Sequence, residues 1–461
     1  MSMTDPTTYG PDPDNAGMKH VQWRIDADHG PGPSLADRNL VPLLPHCFND
    51  FNCPVCGAPE PAARRSLFIG IQVLGDYRCA KCGSEYLRDL PVGFQVDLQL
   101  AFEERTKKIL HPNAEPWITY PEYATPTTFD FPIERKVFKE HKKVIVLNLL
   151  DHLYGHVLLK LYNAQDYLDH YKDHGLVLLI PKMFEWLVPD GVAETWVVDQ
   201  KLAQARAWHP CIDRFVQQQL PRYEEVQLAR AWGHPDLADV DFERFSRIAP
   251  FKLSEFNTRP PHVTFVVRTD RLWFATPFGK FCYRAIGRLG LKKSLGNWFV
   301  QRQSTLVRNS MRRIRDEVND VTFTVLGLAP SGGFDGLAED LRTTRMNKET
   351  ELSWCRAYAK SHIVVGVHGS NMLLPTAHAA GLIEILPHDR LGNFAQDVSI
   401  RYRNRMQLFL YRFVDEFASP AIVARNAVSM LHHFTLYYRN NQVNTFGNNT
   451  ASALPSQGHG K

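Results

Sequence analysis

Two cysteine pairs, Cys53-Pro-Val-Cys56-Gly and Cys79-Ala-Lys-Cys82-Gly, stand 22 residues apart. Each pair brings two thiolates within about one turn of each other, and Gly57 and Gly83 relieve the tight backbone that follows. Four such thiolates complete the closed tetrahedral shell of a structural zinc ion. A shell with no open position does no chemistry, so its expected role is to hold together a small module with too few apolar residues to fold alone, residues 66–74 supplying ribbon strands. Neither pair lies at the strand-to-helix junction that a thioredoxin-type redox pair needs. His46 and Cys47 are read as bystanders.

A second concentration of reactive side chains lies at 362–387. The run HIVVGV reads as a buried strand. His368, Gly369 and Ser370 form a turn, a helix starts near Asn371, and GLIEIL is the next strand. Pro375 fits the first turn of a helix, which Ser370 or Asn371 would cap. Unpaired N–H groups at the carboxyl end of a parallel strand are where α/β sheets take phosphorylated ligands. Glu384, a carboxylate among Leu382, Ile383, Ile385 and Leu386, must find a hydrogen-bonding partner or face a ligand, and a nucleotide ribose is the expected one.

Between Arg268 and Arg315 there are twelve Lys or Arg and a single acidic residue, Asp270, so the chain's net +4 is strongly localised. Arg268 and Arg271 follow the strand HVTFVV directly. Either guanidinium would pair two-pronged with phosphate oxygens, and Arg268 is the narrow preference. Arg312, Arg313 and Arg315 read as a solvated helix face. Trp273, Phe274, Phe278, Phe281 and Trp298, interleaved with the basic residues, allow a different use: contact with nucleic acid or a membrane surface.

Candidates for a general base follow the strand KVIVLNLL, in Asp151-His152-Leu-Tyr-Gly-His156. Histidine titrates near working pH, and a carboxylate accepts a hydroxyl proton in the transition state. His156 is placed ahead of Asp151, with His152 on the same helix face at i, i−4. The Asp-x-Asp pairs at Asp12/Asp14, Asp26/Asp28 and Asp239/Asp241 follow no convincing strand end, so no catalytic metal is expected.

The stretch 362–387 resembles the signature of family 61-type glycosyltransferases of GT-B fold: Val-Val-Gly-x-His-Gly-Ala-Gly, a helix, then an apolar strand carrying Glu and Pro. Val364, Val365, Gly366, His368 and Gly369 match it, and Glu384 and Pro387 stand at the expected strand. Ser370 and Asn371 replace the family's Ala-Gly. The resemblance is close over 362–387 and loose over 143–390. It implies a nucleotide-sugar diphosphate lying against the His368–Gly369 turn and the following helix, a comparable Asn-Tyr-x-His segment at 148–156, and inversion at the sugar. Arg-rich segments after a similar strand occur in fucosyltransferases that bind GDP-sugar without metal.

These residues need scaffolding that 461 residues with 44% apolar composition supply. Short β-rich runs alternate with helical stretches from 143 to 250 and again from 262 to 433, the pattern of parallel α/β units. The expected architecture is a leader at 1–45 without packing pattern, a zinc ribbon at 46–94, an acceptor-binding Rossmann-like domain at 95–257, a nucleotide-sugar-binding one at 258–438 facing it across a cleft, and an unstructured tail at 439–461. No apolar run is long enough to span a bilayer, and paired free cysteines fit the cytoplasm. Walker A, G-x-S-x-G and G-x-G-x-x-G motifs are absent. The expected function is metal-independent glycosyl transfer from a nucleotide sugar to a glycan, lipid-linked or small-molecule acceptor. The alternative is a non-catalytic zinc-ribbon protein gripping nucleic acid through 268–315.

Overall fold

The computed structural model describes residues 40–441 apart from 97–98, 104, 107, 111–125, 238 and 394–408. The leader before residue 40 and the tail beyond 441 lie outside the described residues, as do Asp12, Asp14, Asp26 and Asp28. The first five strands are β1 (Leu40–Leu44), β2 (Ala62–Phe68), β3 (Val73–Arg78), β4 (Glu85–Asp89) and β5 (Ala101–Glu103). The next five are β6 (Ile133–Val137), β7 (Lys143–Asn148), β8 (Gly175–Pro181), β9 (Glu194–Val198) and β10 (Glu225–Ala229). The last six are β11 (His262–Val266), β12 (Thr322–Leu328), β13 (Glu339–Thr343), β14 (Ile363–Val367), β15 (Gly381–Leu386) and β16 (Tyr411–Asp415).

They form three sheets. One is mixed, with order β1-β10-β7-β8-β9-β6; its four inner strands run parallel and its two edges antiparallel. A second is wholly parallel, with order β13-β12-β11-β14-β15-β16. Its inner strands are buried on both faces, which is why β14 and β15 read as near-continuous apolar runs. In this sheet the strand order reverses between β11 and β14. In the first sheet it reverses between β7 and β10. Connections leave such neighbouring strands in opposite directions and open a crevice at their carboxyl ends, the position where open α/β sheets hold ligands.

One apolar cluster spans both sheets, joining Leu147, Val157 and Leu178 to Val266, Leu326, Val364 and Leu382. Residues 250–261, where the two units meet, are packed: Phe251 and Phe256 are buried against β11 and the helix Pro420–Asn441. That helix runs past residue 439, where the tail was expected to begin.

The third sheet, β2-β3-β4-β5, is antiparallel and carries the cysteine pairs. It extends to Glu103, beyond the expected limit at 94, and it is not free-standing. Phe68, Tyr77 and Tyr86 are fully buried in a core shared with Val144, Val146 and Trp196 of the first sheet. Asn148 at the end of β7 donates to the carbonyls of Gly70 and Ile71 at 3.0 and 3.2 Å. The leader's last residues correct the sequence reading: Leu40–Leu44 is an edge strand paired with β10, with Val41 and Leu43 buried.

Candidate functional site

The four cysteine side chains gather with all sulfurs within 4.8 Å of one another. Cys53 Sγ lies 3.9 Å from Cys82 Sγ, and Cys56 Sγ 3.6 Å from Cys79 Sγ. A tetrahedral ion with metal–sulfur bonds of about 2.3 Å sets its thiolates about 3.8 Å apart, so the donor set fits a closed zinc shell. In each knuckle the glycine occupies left-handed backbone, Gly57 at φ +71 and Gly83 at φ +73, and donates its N–H to the first cysteine's carbonyl at 2.9 Å. The Ser84 hydroxyl and amide hold the Cys82 thiol down at about 6. Among the described residues, no other set of three or more metal-ligating side chains is gathered this closely.

At the carboxyl end of β7, Asp151 is buried and organises everything near it. Its Oδ1 accepts from the backbone N–H of His152 and Leu153 at 2.8 and 3.2 Å and faces His156 Nδ1 at 3.2 Å, while Lys160 Nζ stands 3.0 Å from Oδ2. Burial works to raise this carboxyl, but the Lys160 ammonium and the bonds from His152 and His156 outweigh it and hold it far below the usual carboxylate range. Asp151 is therefore a fixed anion that orients His156. His152 Nε2 is engaged by Arg206 Nη2 at 2.9 Å. His156 is the histidine that faces the cleft, its ring packed on Phe94 at 4.5 Å between centroids. Phe94 comes from the short helix Gly93–Gln95 just after the cysteine-bearing strands.

Across the cleft, His368 follows β14. Its Nδ1 lies 2.6 Å from Glu384 Oε2, and Tyr411 donates to Glu384 Oε1 at 2.8 Å. Both carboxylate oxygens are thus occupied and Glu384 is buried. This revises the expected ribose contact: Glu384 fixes His368. The expected helix is also smaller than the sequence suggests. A single 3₁₀ turn, Ser370–Met372, leads into the six-residue helix Leu373–His378, and neither is capped by a side chain. So short an element offers little dipole. Asn371 Nδ2 instead donates to Val367 O at 3.2 Å, and its buried Oδ1 accepts no hydrogen bond from the described residues.

Positive charge comes from the arginines, in the reverse of the expected order. Arg268 is held two-pronged by Asp270, with Nε–Oδ1 and Nη2–Oδ2 both 2.8 Å, and lines a small apolar pocket with Ser370 and Asn371. Arg271 instead lies on the His368–Gly369 turn, donating from Nη1 to His368 O at 3.1 Å. A Cβ at Gly369 (φ +147) would sit 2.3 Å from Arg271 Nη1, so only glycine admits this stacking. Among the described residues Arg271 has no ion-pair partner. Burial and the adjacent Arg268 guanidinium press it below its ordinary value, the mark of a cation in want of an anion.

His156, His368, Gly369, Ser370, Glu384 and Arg271 line one cavity of about 320 Å³, together with His234, Arg390 and Tyr411. The two halves are in direct contact there: a Cβ on Gly155 would lie 2.8 Å from Ser370 Cβ. Sequence reasoning missed Arg390, His234, Phe94 and Lys160. Only Lys160 carried a signal, a lone ammonium in the apolar run Val157–Leu161 that must find a buried counter-ion. Asp241, of the third Asp-x-Asp pair, caps the helix Phe242–Ser246.

A further contact closes the cleft beside this cavity. From the first unit, Tyr154 Oη and Trp186 Nε1 donate across the interface to the two oxygens of buried Glu351, at 2.5 and 3.0 Å. Burial raises this carboxyl from 4.5 to about 7 against those two bonds. The native protein therefore holds a proton that the unfolded chain releases at lower pH. The group's stabilisation is fully present below pH 4.5 and declines as pH rises towards 7, by about 3 kcal/mol at 1.36 kcal/mol per unit. Glu351→Gln can accept from Trp186 on its oxygen and donate from its amide to Tyr154 Oη, and it removes the titration. Urea unfolding at pH 5 and pH 8 is expected to show the parent losing about 3 kcal/mol more than the variant over that interval.

No family model matches this chain, and no curated protein matches it. Among solved structures it shows a likeness to the iron-containing dodecameric glycosyltransferase TibC from enterotoxigenic E. coli H10407: 10% identity, a TM-score of 0.27, and coverage of 76% of this chain and 79% of that chain. No helix among the described residues is long and apolar enough to cross a membrane.

Proposed function

We propose that the protein is a glycosyltransferase that moves a sugar from a nucleotide-sugar donor to an acceptor hydroxyl. The observation that carries the reading is the single cavity into which two oriented histidines, His156 on Asp151 and His368 on Glu384, open beside Arg271. Both dyads stand at strand-order reversals, each at the carboxyl edge of its own sheet.

With Asp151 ionised, His156 keeps its proton on Nδ1 and presents Nε2 as the acceptor of a hydroxyl proton. The acceptor oxygen then bonds to the anomeric carbon as the bond from that carbon to the phosphate oxygen breaks. The electron pair leaves on the diphosphate, and Arg271, with Arg390 near it, balances the charge. His368 lies on the leaving-group side, held by Glu384. The acceptor would enter along the first sheet and be a glycan, a lipid-linked saccharide or a small molecule. No metal is assigned to this chemistry, and inversion follows from a single displacement. Of the interleaved aromatics, Trp273 is removed from any nucleic-acid contact, being buried and donating to Ala418 O at 2.9 Å. Free paired cysteines fit a cytoplasmic protein.

Thermal-shift measurement with UDP, GDP, CDP and ADP tests the reading. At least one nucleoside diphosphate is expected to raise the melting temperature, and the corresponding donor to be hydrolysed slowly. Indifference to all four would remove the basis for donor binding.

We assign zinc to the four cysteines. Cys79→Ser is expected to lower metal content from one ion per chain to none and to destabilise the 62–103 sheet by several kcal/mol, since metal binding is folding free energy there. Elemental analysis together with circular-dichroism melting checks both.

A further inference from the structure

The helix Pro277–Arg288 and the first turns of the helix Lys292–Glu317 form a hairpin inserted between β11 and β12. A small core holds it to the body: Leu272, Phe299 and Val300 are buried, with Cys282, Tyr283 and Ile286 packed against them. No residue of the first helix is fully buried. On the outer side Phe278 is 74% exposed, Phe281 66%, Leu289 70% and Trp298 53%, and Leu291 and Leu295 join them. Six of the sixteen exposed large apolar side chains among the described residues thus fall within positions 278–298. At 100° per residue Phe278, Phe281 and Leu289 share an arc of about 80°, with Arg284 and Arg288 beside it. An apolar strip of this kind on a helix face marks a surface that meets something.

Charge identifies what it meets. Residues 277–302 contain six Lys or Arg and no Asp or Glu. Among the described residues only Lys280 of these is ion-paired, to Glu416. A second copy docked face to face would set these six cations against six more. A nucleic acid would satisfy the charges but has no use for exposed Leu289, Leu291 and Leu295. Phenylalanine, tryptophan and leucine side chains flanked by arginine and lysine suit the boundary between anionic head groups and acyl chains. The strip also lies at the reaction cleft: Lys280 and Arg284 line a cavity of about 180 Å³ with Arg271 and Arg390, which line the larger cavity as well.

We propose that the hairpin 277–302 docks the protein on an anionic lipid surface, with the mouth of the cleft beside the head groups. The full chain is floated with vesicles of phosphatidylcholine alone and of equal parts phosphatidylcholine and phosphatidylglycerol, at low and high salt. Binding is expected to the anionic vesicles only, with a blue shift of tryptophan emission that Trp298→Phe abolishes, and to weaken more than about tenfold in Phe278→Ser/Phe281→Ser/Trp298→Ser and in Arg284→Glu/Arg288→Glu. Arg312→Glu/Arg313→Glu, on the exposed face of the same long helix outside the hairpin, is expected to bind like the parent; equal loss in that control would show general basicity at work and overturn the proposal. So would absence of flotation, binding untouched by both hairpin variants, a concentration-dependent dimer abolished by the aromatic variant, or equally tight retention on an oligonucleotide. None of these readouts involves a nucleotide sugar, so the outcome is independent of the transferase reading.

Discussion

Arg271→Ala is expected to weaken nucleoside diphosphate binding by roughly 10- to 150-fold, the equivalent of about 1.5–3 kcal/mol for a charge-assisted hydrogen bond. The guanidinium lies on the His368–Gly369 turn, half-buried and without an ion-pair partner among the described residues, and burial together with the neighbouring Arg268 disfavours its positive charge. A diphosphate placed there relieves that repulsion; alanine removes the partner and leaves the phosphate facing a neutral wall. The same change at Arg268 is expected to cost much less, because Asp270 already occupies both prongs of its fork. Isothermal titration with the diphosphate that gives the largest thermal shift measures both. Equal losses at the two arginines, or none at Arg271, would sink the assignment.

His156→Ala is expected to lower kcat by roughly 10²–10⁴ while leaving diphosphate affinity near that of the parent, since a base acts in the transition state and does not hold the donor. His152→Ala is the matched control. It shares the Asp151 carboxylate but has its Nε2 bound to Arg206, so turnover is expected to fall by less than about tenfold. Asp151→Asn would uncouple the orienting anion, and with it leave the buried Lys160 ammonium unpaired at 1% exposure. That variant should fold poorly, which makes it a worse probe than His156. If the two histidine variants lose turnover equally, the base lies elsewhere in the cavity.

The strands that carry this chemistry were legible because they are buried on both faces. Gly381–Leu386 coincides with the run GLIEIL, and β7, β11 and β14 differ from KVIVLNLL, HVTFVV and HIVVGV only at their ends. Strands at sheet edges were not: β6 reads IERKV and β13 EDLRT, polar sequences whose pairing is decided by neighbours far along the chain. β1 was hidden by its proline-rich surroundings. The helix Pro277–Arg288 carries Gly279 and Gly287, which masked its period. In the site, the residue types at 151–156 and 368–384 pointed to the cleft, but their pairing did not. Whether Arg268 or Arg271 meets the turn depends on which of them Asp270 captures. The Tyr154–Glu351 contact joins positions 197 apart. No local pattern reports such choices.

The contact of Phe94 with His156 bears on how this protein would be assayed. Phe94 is carried on the connection between β4 and β5 of the cysteine-bearing sheet, and its ring is a wall for the histidine's imidazole. With zinc in the four-cysteine site as proposed, stripping it with EDTA or a stronger chelator is expected to loosen that wall and depress turnover without any metal at the reaction centre. Such a result imitates the behaviour of a magnesium- or manganese-dependent transferase. Replenishment separates the cases: here magnesium and manganese should fail to restore turnover, and zinc supplied during refolding should succeed.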